Sequence, residues 1–223
     1  MTDHLPAEPP PDCTLCPRLA DFIAETRAQH PDWHNAPVRS FGDQSARLLI
    51  VGLAPGITGA NRTGRPFTGD FAGDLLYDTL SSFGFSQGTY DARPDDGLKL
   101  TGCMITNAVR CVPPKNKPVG AEITTCRGHL VTRIAALPHL DAILALGRIA
   151  HESTVSALGL KRSALPFGHG ARHPVEGAGS GGRDLVLFDS YHCSRYNTNT
   201  RRLTPKMFRD VFQAVKELLE FGP

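Results

Sequence analysis

Four short apolar runs, each separated from the next by a loop and a helical pattern, constrain this chain more than any other feature. RLLIV at 47–51 stops at Gly52, CMITNAV covers 103–109, AILAL covers 142–146 and DLVLFDS covers 184–190. Unbroken aliphatic runs of this length suit strands buried on both faces, as in a parallel sheet. Between the first two, Phe71, Leu75, Leu76, Thr79 and Leu80 recur at helical spacing, with Asp70 and Asp74 placed to favour the first turn. Residues 121–137 and 148–158 read as further helices, and 205–221 as a closing helix with proline in its first turn. Strands alternating with helices predict a parallel sheet layered by helices.

The chain has 223 residues, 40% of them hydrophobic, which is enough for one domain with a sizeable core. Residues 1–12, rich in proline, read as an irregular lead-in, and 13–223 as a single domain. Lys and Arg number 24 against 22 Asp and Glu, a balance that excludes a basic tail or a disordered polyanion. The sum conceals a division. Arg195, Arg201, Arg202, Lys206 and Arg209 stand close together against Asp210, while residues 70–96 carry Asp70, Asp74, Asp78, Asp91, Asp95 and Asp96 against Arg93. A basic segment of this kind suits salt-dependent binding to a phosphate backbone. The N-terminus does not read as a secretory signal, and no apolar stretch is long enough to span a membrane. The expected compartment is the cytosol, where cysteines stay reduced unless ligated.

Six cysteines are present, and four have suggestive spacing. Cys13 and Cys16 form C-x2-C, while Cys111 and Cys126 have fourteen residues between them, the second on a helix. Two such pairs can close one metal centre, and the spacing fits tetrahedral zinc and a [4Fe-4S] cluster equally; unrelated buried thiols are the third reading. Cys103, within an apolar strand, reads as core. Cys193 adjoins His192, but neighbours on an extended segment point to opposite faces, which argues against a Cys-His dyad.

Ligands of such sheets sit beyond the carboxyl ends of the strands. GLAPG, TNAVRC and SYHCS all fall there, so three separated segments converge on one cleft. The glycine-rich loop after the first strand lacks both the P-loop ending and the G-x-G-x-x-G spacing, but its glycines allow backbone amides to approach an anion or a carbonyl closely.

GLAPG at 52–56, NRTGRPFTGD at 61–70, TNAVRC at 106–111 and HCSRYNTNTRRLT from His192, with the four spaced cysteines, together resemble the iron-sulfur uracil-DNA glycosylases, most closely the family 5 or type B branch. The resemblance spans about residues 13 to 210. It implies an α/β three-layer sandwich with a central, mainly parallel four-stranded sheet, and a monomer that acts on uracil-containing DNA, single- or double-stranded, without a membrane. It also implies a [4Fe-4S] cluster on Cys13, Cys16, Cys111 and Cys126. The flipped base would lie among Gly52, Leu53, Ala54, Pro55, Gly56, Asn61, Phe67, Asn107 and His192. Phe67 would stack on it, and the Asn107 amide would read N3-H and O4. His192 would stabilise the developing charge on O2, and Asp70 would orient water, although an Asp opening a helix is also an ordinary cap. Ser194, Arg195, Asn197 and Asn199 would meet DNA. No lysine lies in the motifs to form a Schiff base, so the expected activity is hydrolysis alone. The chain departs from the branch at Ile57-Thr58-Gly59, and at 192–194, where HCS replaces His-Pro-Ser. A non-catalytic iron-sulfur nucleic-acid binder and a covalent uracil-trapping relative are the alternative readings.

Overall fold

The structure, a computed structural model, describes residues 5–222. The first half contains α1 (Pro17–Gln29), β1 (Phe41–Gly42), β2 (Leu48–Gly52), α2 (Ala60–Thr63), α3 (Phe71–Ser82), β3 (Ser86–Gln87), β4 (Lys99–Leu100) and β5 (Cys103–Asn107). The second contains α4 (Gly120–Ala135), β6 (Ala142–Leu146), α5 (Arg148–Ala157), β7 (Arg172–Val175), β8 (Leu185–Ser190), α6 (Arg195–Asn199) and α7 (Pro205–Phe221). The four apolar runs form the four parallel strands, side by side in the order β5-β2-β6-β8, and every residue in them is buried.

The sheet is wider than the four strands expected. β1 and β7 add antiparallel edges, giving the six-stranded order β1-β5-β2-β6-β8-β7. Two residues are too few to show a period, and β7 contains Pro174, which donates no hydrogen bond and belongs at an edge. The short helices α2 and α6 and the longer α1 also lay outside the sequence pattern.

Alternation along the strands separates two cores. Leu48, Ile50, Ile105, Leu144 and Phe188 face α3 and α7, where Leu76, Leu80, Phe208 and Phe212 pack against them. Leu49, Val51, Met104, Ile143 and Leu187 face the other way, onto Leu130 and Ile134 of α4 and Ala150 and Val155 of α5. The result is the expected three-layer sandwich. A third, smaller cluster joins Leu19 and Ile23 of α1 to Val109, Cys111, Val112 and Cys126. Among the described residues no helix is long and apolar enough to cross a membrane.

Residues 1–4 of the lead-in lie outside the described residues. The remainder is irregular yet anchored on α4: Thr132 donates to Leu5 O (2.5 Å), His129 Nδ1 meets Pro6 O (2.6 Å), and Arg133 pairs with Glu8 (2.5 Å). Glu8 also reaches Arg110 (3.4 Å), whose side chain is 1% exposed. Burial pushes the Glu8 carboxyl up, but Arg110, Ser40 and Arg133 outweigh it and hold it below the ordinary value. Breaking a buried pair costs about 3–5 kcal/mol. Arg110 would keep Val38 O, Ala7 O and Ser40 Oγ as acceptors. Glu8→Ala is therefore expected at or just below the lower limit, roughly 2–3 kcal/mol by denaturant unfolding at pH 7. Because the folded pKa is depressed, this contribution is present above pH 4.5 and vanishes as pH falls through the folded value, so wild type and variant should converge there.

Candidate active site

β2 and β5 end side by side, with Gly52 paired to Asn107. A Cβ on Gly52 would lie 2.7 Å from Cε2 and Cζ of Phe67 and would strike Oδ1 of Asn107. Only glycine lets both side chains occupy that end of the sheet. They border a cleft of about 550 Å³ at the carboxyl ends of the strands, lined also by Leu53, Ala54, Gly56, Asp70, His192, Ser194 and Arg195. Asn107 is 3% exposed, and its Oδ1 has no hydrogen-bond partner among the described residues. Buried amide oxygens are nearly always paired, so an unpaired one at the cleft leaves an acceptor open to whatever occupies it.

Phe67 adopts φ +54°, a left-handed conformation rare for an aromatic residue. Its ring faces the His192 imidazole at 5.8 Å with 25° between the planes. His192 titrates far from its ordinary range: burial pushes the imidazole down to about 4, so it is neutral at physiological pH. The carbonyl of His192 accepts from Asn197 Nδ2 at 2.8 Å, and Cys193 turns inward, donating to Ala72 O at 3.4 Å. The two neighbours thus part to opposite sides, as expected, and Cys193 is core, like Cys103.

Asp70 is the N-cap of α3 and accepts from Gly73 N at 3.1 Å through Oδ1. Its other oxygen, Oδ2, lies against the glycine loop: a Cβ on Gly59 would come within 2.8 Å of it and one on Gly56 within 3.5 Å. Burial pushes the carboxyl up, opposed by amide hydrogen bonds from Gly73 and Ala72. One carboxylate therefore caps the helix and also faces the cleft.

Other expected residues divide. Pro55 is buried behind the loop, and Asn61 turns away, donating to Asn35 Oδ1 at 3.0 Å while its backbone N–H closes the loop on Gly56 O. Ser194 caps α6, Arg195 lies over the Phe71 ring at 5.3 Å, and Asn199 is exposed at the far end of that helix. Asn197, through its amide, braces His192. The basic segment is less uniform than its sequence: Lys206 pairs with Asp210 (2.9 Å) and Arg209 with Asp78 (3.0 Å). Thr58, one of the departures from the branch, is in the lining, and sequence reasoning missed Ala60, Gly69, Phe71, Ala72 and Asn116 there. Of these, Gly69 falls inside a quoted motif, and Ala60 lies between two of them. Asn116 sits at φ +56° in a 3-10 turn that has no motif to mark it.

Residues 39–216 match the family model described as "Uracil DNA glycosylase superfamily". The chain belongs to the uracil DNA glycosylase superfamily. Within it, the chain is 46% identical over 212 residues to a type-5 uracil-DNA glycosylase of Thermus thermophilus, covering 92% of this chain and 93% of that protein. A type-5 uracil-DNA glycosylase of Mycobacterium tuberculosis is 40% identical over 215 residues, covering 92% and 78%. A type-4 uracil-DNA glycosylase of Sulfurisphaera tokodaii is 29% identical over 174 residues, covering 76% and 70%.

In this superfamily member the four spaced cysteines come together. Cys13, Cys16, Cys111 and Cys126 line one recess with Pro9, Leu19, Arg110 and His129. Arg110 N donates to Cys126 Sγ at 3.3 Å. Burial pushes Cys126 up to about 11 and Cys111 and Cys16 upward too, and the sulfurs raise one another. Burial and mutual repulsion keep these groups as neutral thiols unless a cation offsets the charge of their thiolates, and four sulfurs facing one recess are a donor set that fits a metal-sulfur centre.

The His192 shift is directly measurable. Its imidazole should titrate near pH 4 in a two-dimensional NMR pH series, and a midpoint above 6 would contradict the burial described. The unfolded chain takes up this proton near pH 6.5 and the folded one near 4, so the stability this group contributes is complete above 6.5 and is lost as pH falls through that window.

Proposed function

We propose that this chain hydrolyses the N-glycosidic bond of uracil in DNA, leaving an abasic site. The observation that carries the proposal is the orphaned Asn107 Oδ1, buried at the end of β5 beside the Phe67 ring. An amide presents an acceptor and donors side by side, the complement of uracil N3-H and O4. A base within a duplex must first be turned out of the stack to reach such a pocket. Phe67 then stacks on its face, an interaction that contributes about 1–3 kcal/mol per base.

Bond cleavage leaves negative charge on the base and positive charge on the sugar. Neutral His192 donates a hydrogen bond to O2 as that charge develops, which needs a correctly held tautomer rather than an extra proton. Asp70 keeps Oδ1 on the Gly73 amide and uses Oδ2 to orient water and to offset the sugar charge. Among the described residues no lysine lines the cleft, so hydrolysis without a lyase step follows. Ser194 and Arg195 meet the strand at the cleft rim, with Asn199 beyond them; Asn197 acts by holding His192. The protein works as a monomer in the cytosol.

Cys13, Cys16, Cys111 and Cys126 hold a [4Fe-4S] cluster in this reading, supported by their shared recess. The cluster supplies a structural tie between the start of α1, the loop after β5 and α4. Cys111 is four residues beyond Asn107, so the tie steadies the loop that follows the reading amide.

Incubating a uracil-containing duplex with excess enzyme, then with alkali, tests the activity: strand scission at the uracil is expected, and none would defeat the proposal. In the same assay Asp70→Ser separates capping from chemistry, because Ser caps a helix as well as Asp. Single-turnover excision should fall on the order of 10²–10⁴-fold, with stability changed by less than about 1 kcal/mol. For the cluster, anaerobically purified protein should be brown, with iron and sulfide in equal amounts. Cys111→Ser should bleach it, and stoichiometric zinc without iron would overturn the assignment.

A further inference from the structure

Phe67 holds a left-handed backbone conformation that nothing in its own side chain explains. Such strain persists only where the surroundings over-determine it. The surroundings here are one buried guanidinium. Arg65 donates from Nε to Thr68 Oγ1 at 2.8 Å, so a side chain closes the chain on either side of Phe67. Its other nitrogens form a fork on Asp96 at 2.7 and 2.6 Å, with side chains 5% and 1% exposed. Asp96 accepts in turn from the amides of Asp91 and Leu98, both at 3.0 Å. The guanidinium is caged by the rings of Phe41, Tyr77 and Tyr90 at 5.2, 5.4 and 5.6 Å. Two of the cage residues act on the same loop: Tyr77 donates to Pro66 O at 2.7 Å and Tyr90 to Phe67 O at 3.3 Å.

We propose that Arg65 and Asp96 are positioning residues for base excision, acting through Phe67. Neither side chain lines the cleft. The inference rests on Phe67 being the ring that stacks on the base. A buried ion pair is a poor source of net stability compared with apolar packing, but its geometry is unforgiving once formed. The planar fork fixes the direction of residues 65–68, and with it the height of the Phe67 ring above the Asn107 amide. Lysine keeps the charge and loses both the fork and the Nε bond, so it is the informative replacement.

The test is a double-mutant cycle between Arg65→Lys and Phe67→Ala, reading single-turnover excision, half-saturating DNA concentration, affinity for free uracil and thermal midpoint. Arg65→Lys is expected to lose on the order of tenfold in both excision rate and free-uracil affinity, within the range of one base-stacking interaction, while half-saturation moves less than about twofold. In the Phe67→Ala background it should add nothing further, because the two changes remove the same interaction. Losses that multiply in the double variant, or a wild-type excision rate in Arg65→Lys, would overturn the inference. Should Arg65→Lys not fold, Asp96→Asn enters the same cycle with the same criteria. A wild-type protein that releases no uracil defeats the proposed function instead, so the two failures are distinguishable.

Discussion

The site depends on one register. Gly52 lies opposite Asn107 where β2 and β5 end, and the missing side chain at Gly52 is the space into which the Phe67 ring and the Asn107 amide fit. A slip of one residue would put Val51 opposite Asn107 and turn every buried side chain of β2 to the wrong core. Because all five residues of each strand are buried, that slip would expose both apolar faces to mismatch, and packing therefore enforces the register. The same glycine leads into the loop whose Gly56 and Gly59 make room for Asp70.

Burial supplies the chemistry from the same geometry. It pushes the His192 imidazole down and the Asp70 carboxyl up, so each loses charge relative to water, and each is offset differently. Asp70 regains part of its ionised form through amides at the start of α3, where the helix dipole also favours an anion. His192 has no such support and stays neutral, which is the state that donates a hydrogen bond without adding a buried charge.

Much of this was legible from residues. The four parallel strands, the helices 71–82, 120–135, 148–157 and 205–221, and the convergence of Phe67, Asp70, Asn107 and His192 all follow from runs, periods and motifs. The four cysteines share a recess that spacing suggested, though their spacing fits more than one centre. What was not legible depends on long-range contact. β1 is too short for a period, and β7 is masked by Pro174. Asn61 belongs to a quoted motif yet turns to Asn35, twenty-six residues away, because Gly59 starts a helical turn there rather than an extended loop. The basic segment loses Lys206 and Arg209 to acidic partners, one of them the distant Asp78, which sequence proximity does not reveal.

The residues that sequence left without a role share a pattern. Three segments next to cleft residues are backed by buried ion pairs. Arg65 and Asp96 stand behind Phe67, and Arg110 with Glu8 stands behind the segment that follows Asn107. His151 and Asp189 stand behind the strand leading to His192. In the last, both ring nitrogens of His151 face acceptors, Asp189 Oδ1 at 2.7 Å and Leu165 O at 2.8 Å, and these contacts outweigh burial and push the imidazole above its ordinary value. Apolar packing alone would fill these places with comparable stability but with a softer choice of geometry, whereas removing one partner of an ion pair leaves an unpaired buried charge. Loops cannot rely on a repeating hydrogen-bond ladder to fix their course. Directional, buried charge pairs do that work here, and they sit one layer behind the groups that line the cleft.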